Sequence, residues 1–259
     1  MEALRKTEAQ IAMMRRAGLI VWEAHQAAAA LIAPGVTTAM LDGAVEQVIA
    51  GHGAIPLFKG VPGAVPFPAA TCISINCEVV HGIPGPRRLC HGDVVTIDIG
   101  VRLDGWCADA AVTHPVGTVE PRVRDLLVVT EEALRLAIRS IGGKSHWSQV
   151  AAGIAELIES AGFQVVEDLF GHGIGQELWE RPQVPNRVGA DDFELVPGLV
   201  LAVEPLATLG AKEIRLLPDH WTVVTADGSV AAHFEHTVAI TPEGAQVLTA
   251  GPDHQGWAL

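Results

Sequence analysis

Asp98, Asp109, His172, Glu204 and Glu235 are the residues of this chain best placed to do chemistry. Each stands in a stretch that reads as a strand or strand edge, so all are expected to face one cavity. Four carboxylates and an imidazole cannot share a cavity unless strong positive charge sits between them. Otherwise like charges raise one another's pKa until some are neutral. Two divalent cations would supply that charge, and oxygen-rich ligands with one imidazole suit manganese, iron, cobalt or zinc. The chemistry expected is hydrolysis at a two-metal centre.

Taken singly, each residue has an ordinary explanation. Asp98 interrupts the apolar run VVTIDIG, where an unpaired carboxylate is costly to bury, yet a lone Asp there also suits a strand-end cap or salt bridge. Asp109 lies beyond the turn Asp104-Gly105 and can return to the level of Asp98; alone, it is an ordinary exposed acid. His172 sits in GHGIG, where glycines permit close backbone approach, although a histidine in such a loop is more often structural. Glu204 before Pro205, and Glu235 in HFEHT, repeat the theme of acids embedded in apolar strands. The set is far more specific than its members.

The elements around them bound the fold. The chain has 259 residues, 49% of them hydrophobic and 18% charged, which describes a compact globular protein with ample core. Thr7 and Gln10 form a capping box ahead of a helix to about residue 32, stopped by Pro34-Gly35. Thr37 or Thr38 caps a second helix to about residue 50. Residues 55–70 read as an irregular Pro/Gly-rich loop. TCISINCEVV, DVVTIDIGVRL and WCADAAVTHPV read as strands, the last two forming a hairpin. Helices over about 121–140 and 148–161 follow, then a strand entering the GHGIG loop. LVLAVEPLATL, EIRLLP, WTVVTAD and AAHFEHTVAIT read as the closing strands. No linker divides the chain, so 1–259 is expected to be one domain. GDVVTID and GLVLAVE both place a carboxylate six residues after a glycine, as a duplicated half would.

Charge and cysteines restrict the partners. A formal net charge of −13 argues against nucleic acid as a main partner, since a phosphate backbone needs a basic face. The start MEALRKTEAQ is charged, and no 18-residue apolar run occurs, so a cytoplasmic protein without a membrane span is expected. Cys72, Cys77, Cys90 and Cys107 form no paired C-x-x-C pattern and are expected as free thiols.

SINCEVVHGIP, GDVVTIDIGVRLDGWCADAAVT, GHGIG, AVEP and AAHFEHTVAIT, in this order and spacing, resemble type I methionine aminopeptidases of the pita-bread metallopeptidase family. The resemblance runs from Thr7 to Thr249. It implies an α/β fold of two pseudo-symmetric halves with helix-covered sheets around a central dinuclear metal site. It assigns Asp98, Asp109, His172, Glu204 and Glu235 as ligands of two divalent ions (cobalt, manganese, iron or zinc). It also implies that Glu204 shuttles a proton as general base and acid, that His81 faces the scissile peptide, and that Thr113 lies near the metal carboxylates. Phe67, Cys72 and Trp221 match an apolar pocket for the first residue. The substrates implied are peptide or nascent-protein N-termini, methionine first, and the chain is expected to act as a monomer. The ions would acidify a water held between them, and one could take the free α-amine, restricting cleavage to the first bond.

Departures fall on the walls. Leu178 and Trp179 stand where the family has Phe and His, the latter assigned to the carbonyl oxygen of the scissile bond. An indole carries one N–H and no charge. Ala64-Val65-Pro66-Phe67-Pro68 stands where Tyr-His-Gly-(Phe/Tyr)-Pro is usual, and Leu206 where Met is usual. Keeping the ligands while changing the walls is what altered specificity looks like. The alternatives are a specialised paralogue that trims another N-terminal residue or a dedicated peptide, and a non-catalytic binding module. Loss of ligands would favour the latter, and all five are present.

Overall fold

The computed structural model describes residues 4–189 and 192–252. Its first half comprises α1 (Glu8–Ala29), α2 (Thr38–Gly51), β1 (Ile55–Pro56), β2 (Cys72–Ile75), β3 (Glu78–Val80), β4 (Val94–Leu103) and β5 (Trp106–Pro115). Its second comprises α3 (Pro121–Ile141), α4 (Trp147–Ser160), β6 (Gln164–Val165), β7 (Gly171–Gly173), β8 (Glu180–Val184), β9 (Val200–Val203), β10 (Leu206–Thr208), β11 (Ile214–Leu216), β12 (Val223–Thr225), β13 (Ala231–His233), β14 (His236–Thr241) and β15 (Gly244–Val247).

Local chemistry sets the helix ends. Gln10 N–H donates to the Thr7 hydroxyl at 3.3 Å while the Gln10 side chain accepts from Thr7 N–H at 2.8 Å, closing the capping box that starts α1. Thr37, not Thr38, caps α2. Pro121 opens α3 at a position where no N–H is needed. α1 ends at Ala29, three residues before the expected stop, in a turn leading to Pro34-Gly35.

Each half builds its own helix-on-sheet core. Apolar residues of α1 and α2, among them Val21, Leu41 and Ile49, pack on Ile73, Ile97 and Ile99. Leu126, Leu134, Trp147 and Ile154 of α3 and α4 pack on Leu201, Val203 and Val238. Repetition extends to the backbone. Gly92 and Gly198 both take left-handed φ, 94° and 95°, two residues before β4 and β9 begin. Gly92 N–H donates to Val116 O and Gly198 N–H to Ile240 O, each at 2.9 Å. The antiparallel pair β4–β5 is thus the counterpart of β9–β14. The glycine-to-acid spacing seen in the sequence marks equivalent places in two pseudo-symmetric halves, and the α/β expectation holds.

Candidate active site

Asp98 and Asp109 come from one hairpin. β4 and β5 pair in register, Asp98 opposite Ala111 and Gly100 opposite Asp109. The two acids are therefore diagonal neighbours on one face. Asp104 and Gly105, with φ of 49° and 83°, make the two-residue turn that fixes this register. Thr237 clamps Asp109 through the main chain, its hydroxyl accepting from Asp109 N–H and donating to Asp109 O, both at 2.8 Å.

The second half supplies the rest. His172 lies within strand β7, paired between β8 and β9, rather than in the loop expected from sequence. Its glycines belong to sheet packing: a Cβ on Gly171 would collide with Ala202 O, and one on Gly173 with Arg181 O. His172 Nδ1 lies 2.9 Å from Gly173 O, which leaves Nε2 for a metal. Glu204 follows β9, and its carbonyl accepts from Asn186 Nδ2 at 2.8 Å. Glu235 sits between β13 and β14. Its N–H donates to Ala111 O at 2.8 Å and its carbonyl accepts from Ala111 N–H at 3.3 Å, joining the halves beside Asp109.

All five predicted ligands line one cavity of about 480 Å³. Ligand atoms of Asp109, His172 and Glu235 lie within 4.8 Å of one another, as do those of Glu204, His233 and Glu235. Glu235 belongs to both groups. Without cations the cluster is electrostatically unfavourable. Burial, then Asp109 and Glu204, hold Asp98 well above the carboxylate range. Burial, then the other three acids, does the same to Glu235. Burial raises Asp109 to about 7, and burial with Asp109 raises Glu204 to about 8. Oδ1 of Asp98, Oδ1 of Asp109, Oε1 of Glu235 and both ring nitrogens of His233 are buried without a hydrogen-bond partner. Orphaned carboxylate oxygens converging with imidazoles form a donor set that fits divalent cations.

A pH dependence follows for chelated protein. Raised carboxyl pKa values stabilise the metal-free fold below the unfolded carboxylate pKa, about 4. That contribution is lost as pH rises through about 7 for Asp109 and about 8 for Glu204. The Tm of chelated protein should fall between about pH 4 and pH 8, and saturating manganese should flatten the fall. A Tm rising over that window with chelator present would contradict the site's electrostatics.

One wall is apolar. Phe67 meets Trp221 edge-on with ring centroids 5.3 Å apart, and Trp221 Nε1 donates to Val65 O at 2.7 Å. Phe58, Val61 and Cys72 line the same cavity. The Cys72 thiol is pushed well up by burial, then by Asp98, and stays neutral. His81 lines the cavity from a left-handed backbone, φ 59°, and burial lowers its pKa. Trp179 stands at the rim, 58% exposed. Leu178 corrects the sequence expectation: it does not line the cavity but is buried in the apolar cluster behind it, with Met14, Ile174 and the wall residues Phe67 and Cys72, in a bent segment whose next residue, Trp179, reaches the rim. Thr113 lies behind the site, its hydroxyl donating to His233 O at 2.8 Å and accepting from His233 N–H at 2.9 Å.

His233, Phe58 and Val61 are cavity residues that sequence reasoning missed. His233 had a signal, since period-two alternation places residues 233 and 235 on one face.

Comparison with known proteins agrees with this geometry. Residues 12–242 match the model of metallopeptidase family M24. The chain is 43% identical over 246 residues to a methionine aminopeptidase of Clostridium perfringens, covering 94% of this chain and 97% of that one. It is 43% identical over 245 residues to methionine aminopeptidase 1 of Bacillus subtilis, covering 94% and 98%. The solved methionine aminopeptidase of Thermotoga maritima superposes with a TM-score of 0.92 at 39% identity, covering 96% of this chain and 99% of that one. A prolidase from Pyrococcus horikoshii shares the fold alone, at 23% identity and a TM-score of 0.78, with 96% of this chain matching 64% of the longer protein. With ligand set, fold and near full-length similarity in agreement, the chain belongs to metallopeptidase family M24.

Proposed function

We propose that this protein is a metalloaminopeptidase that removes the N-terminal residue, methionine foremost, from peptides and nascent proteins, acting as a single domain. The observation that carries the reading is the convergence of Asp109, His172, Glu204 and Glu235 on a cavity with an apolar wall of Phe58, Phe67 and Trp221. That wall suits an unbranched apolar first side chain, and its closeness to the carboxylates puts the first peptide bond at the reacting centre. Divalent ions, two by this reading, supply water acidified toward neutrality when bound.

The chain's own groups do the rest. Glu204, its carboxylate beside the water site, takes the proton from the attacking water and passes it to the leaving amine. His81, kept neutral by burial, donates a hydrogen bond to the scissile amide. His172, Asp98, Asp109 and Glu235, together with Glu204, hold the ions. Among the described residues no helix is long and apolar enough to cross a membrane, which suits substrates met in aqueous solution.

Peptides differing only in their first residue, assayed with cobalt or manganese, test the substrate. Methionine peptides should lead, with the first residue released and the remainder intact. Equal rates on blocked N-termini would sink the aminopeptidase reading. Elemental analysis should find about two divalent ions per reconstituted chain. The exposed Trp179 favours a second reading, a paralogue with altered specificity, for which the same panel would peak at another first residue.

A further inference from the structure

His233 is the one imidazole of the cavity that neither the sequence assignment nor the proposed mechanism uses. It is 2% exposed, and neither ring nitrogen has a hydrogen-bond partner. Its Nε2 lies 3.5 Å from Glu204 Oε2 and 3.6 Å from Glu235 Oε2. These separations are longer than ordinary N–H···O hydrogen bonds. They match ligand atoms spread around a common ion: with metal–ligand bonds of about 2.1 Å, tetrahedral neighbours stand about 3.4 Å apart. We propose that His233 is a sixth protein ligand, its Nε2 holding one divalent ion together with Glu204 and Glu235.

The arrangement then gives each ion its own imidazole. Asp109 and His172 serve one ion, Glu204 and His233 the other, and Glu235 is common to both. The fold builds His233 into place. It ends β13, and Thr113 grips its backbone on both sides, N–H and C=O, while the Thr113 hydroxyl lies 2.8 Å from that of Thr96. A buried imidazole with two unsatisfied nitrogens is unfavourable; ligation satisfies the one that faces the acids. The inference rests on the two-ion reading, and its test separates the two.

X-ray absorption at the cobalt edge counts imidazoles directly. The dicobalt protein should average one imidazole per cobalt, falling by half in His233→Gln. One ion should bind more than about 100-fold more weakly in the variant, beyond what loss of an outer-shell partner does. Equal imidazole counts in wild type and variant, with two ions in each, would overturn the proposal and make His233 an outer-shell group. A wild-type protein that takes up no divalent ion would instead overturn the two-ion reading itself. Should His233→Gln fail to fold, the anomalous map of a cobalt-soaked wild-type crystal decides. His233 Nε2 within about 2.3 Å of cobalt supports ligation, and a distance beyond about 3 Å refutes it.

Discussion

Asp109→Ala is expected to abolish peptidase activity while leaving the fold intact. The carboxyl belongs to the Asp109–His172–Glu235 ligand group and stands diagonally across the hairpin from Asp98. Losing a direct ligand should lower kcat/KM well beyond the roughly 10–100-fold that removal of an outer-shell partner causes. The hydrogen bonds that seat the residue survive, because Thr237 contacts only its backbone N–H and C=O. Alanine also relieves repulsion, since Asp109 is a cause of the raised pKa values of Asp98, Glu204 and Glu235. The metal-free variant should therefore melt at or above the wild-type temperature at pH values above about 7, where the wild-type acids must ionise together. Ion content, near-ultraviolet dichroism and turnover on a Met-Gly peptide check the three parts. Wild-type turnover would remove Asp109 from the site.

Sequence made the candidate ligands legible because burying acids in apolar strands is costly enough to need a reason. The Asp104-Gly105 turn fixed how far Asp109 returns toward Asp98, and the observed register, with Asp98 opposite Ala111, bears that out. The glycine-to-acid repeat likewise maps onto β4 and β9, whose hydrogen bonds to Val116 and Ile240 correspond. His172 was harder. Three glycines in GHGIG suggest a loop, and only the backbones of Ala202 and Arg181 reveal that two of them exist to let β7 fit within a sheet. His233 was hidden by its neighbourhood, where His236 is an equally plausible histidine. In the structure His236 is committed to Thr249, Nδ1 lying 2.8 Å from its hydroxyl, whereas His233 faces the acids. Leu178 and Trp179 were both assigned to the pocket by resemblance, but they lie in a bent segment before β8 and only Trp179 lines the cavity. Long-range packing decided which one turned outward.

Trp179→His is the substitution expected to gain activity. Trp179 lines the rim of the cavity and is 58% exposed, so little packing is lost when the indole is removed. Leu178, whose burial anchors the segment, is unchanged. Glu180, on the far side of Trp179 from Leu178, fixes the backbone by accepting from Gln176 N–H at 3.0 Å and pairing with Lys6 Nζ at 2.5 Å. The new imidazole would thus start from a constrained backbone beside the scissile bond. By the proposed mechanism it would supply the donor to the developing oxyanion that the resemblance assigns to a histidine at this position, alongside His81 at the scissile amide. Loss of one such donor typically lowers kcat about 10²–10³-fold, which sets the upper limit of the gain on a Met-Gly peptide. If the imidazole acts on the transition state, the gain appears in kcat with KM little changed. A fall in KM alone would mean that removing the indole merely opened the mouth of the cavity, a result that Trp179→Ala would reproduce and that separates steric from electrostatic effects. A loss of activity in both variants would show that the exposed indole itself grips the substrate, and the peptide whose rate falls most would then name the residue it grips.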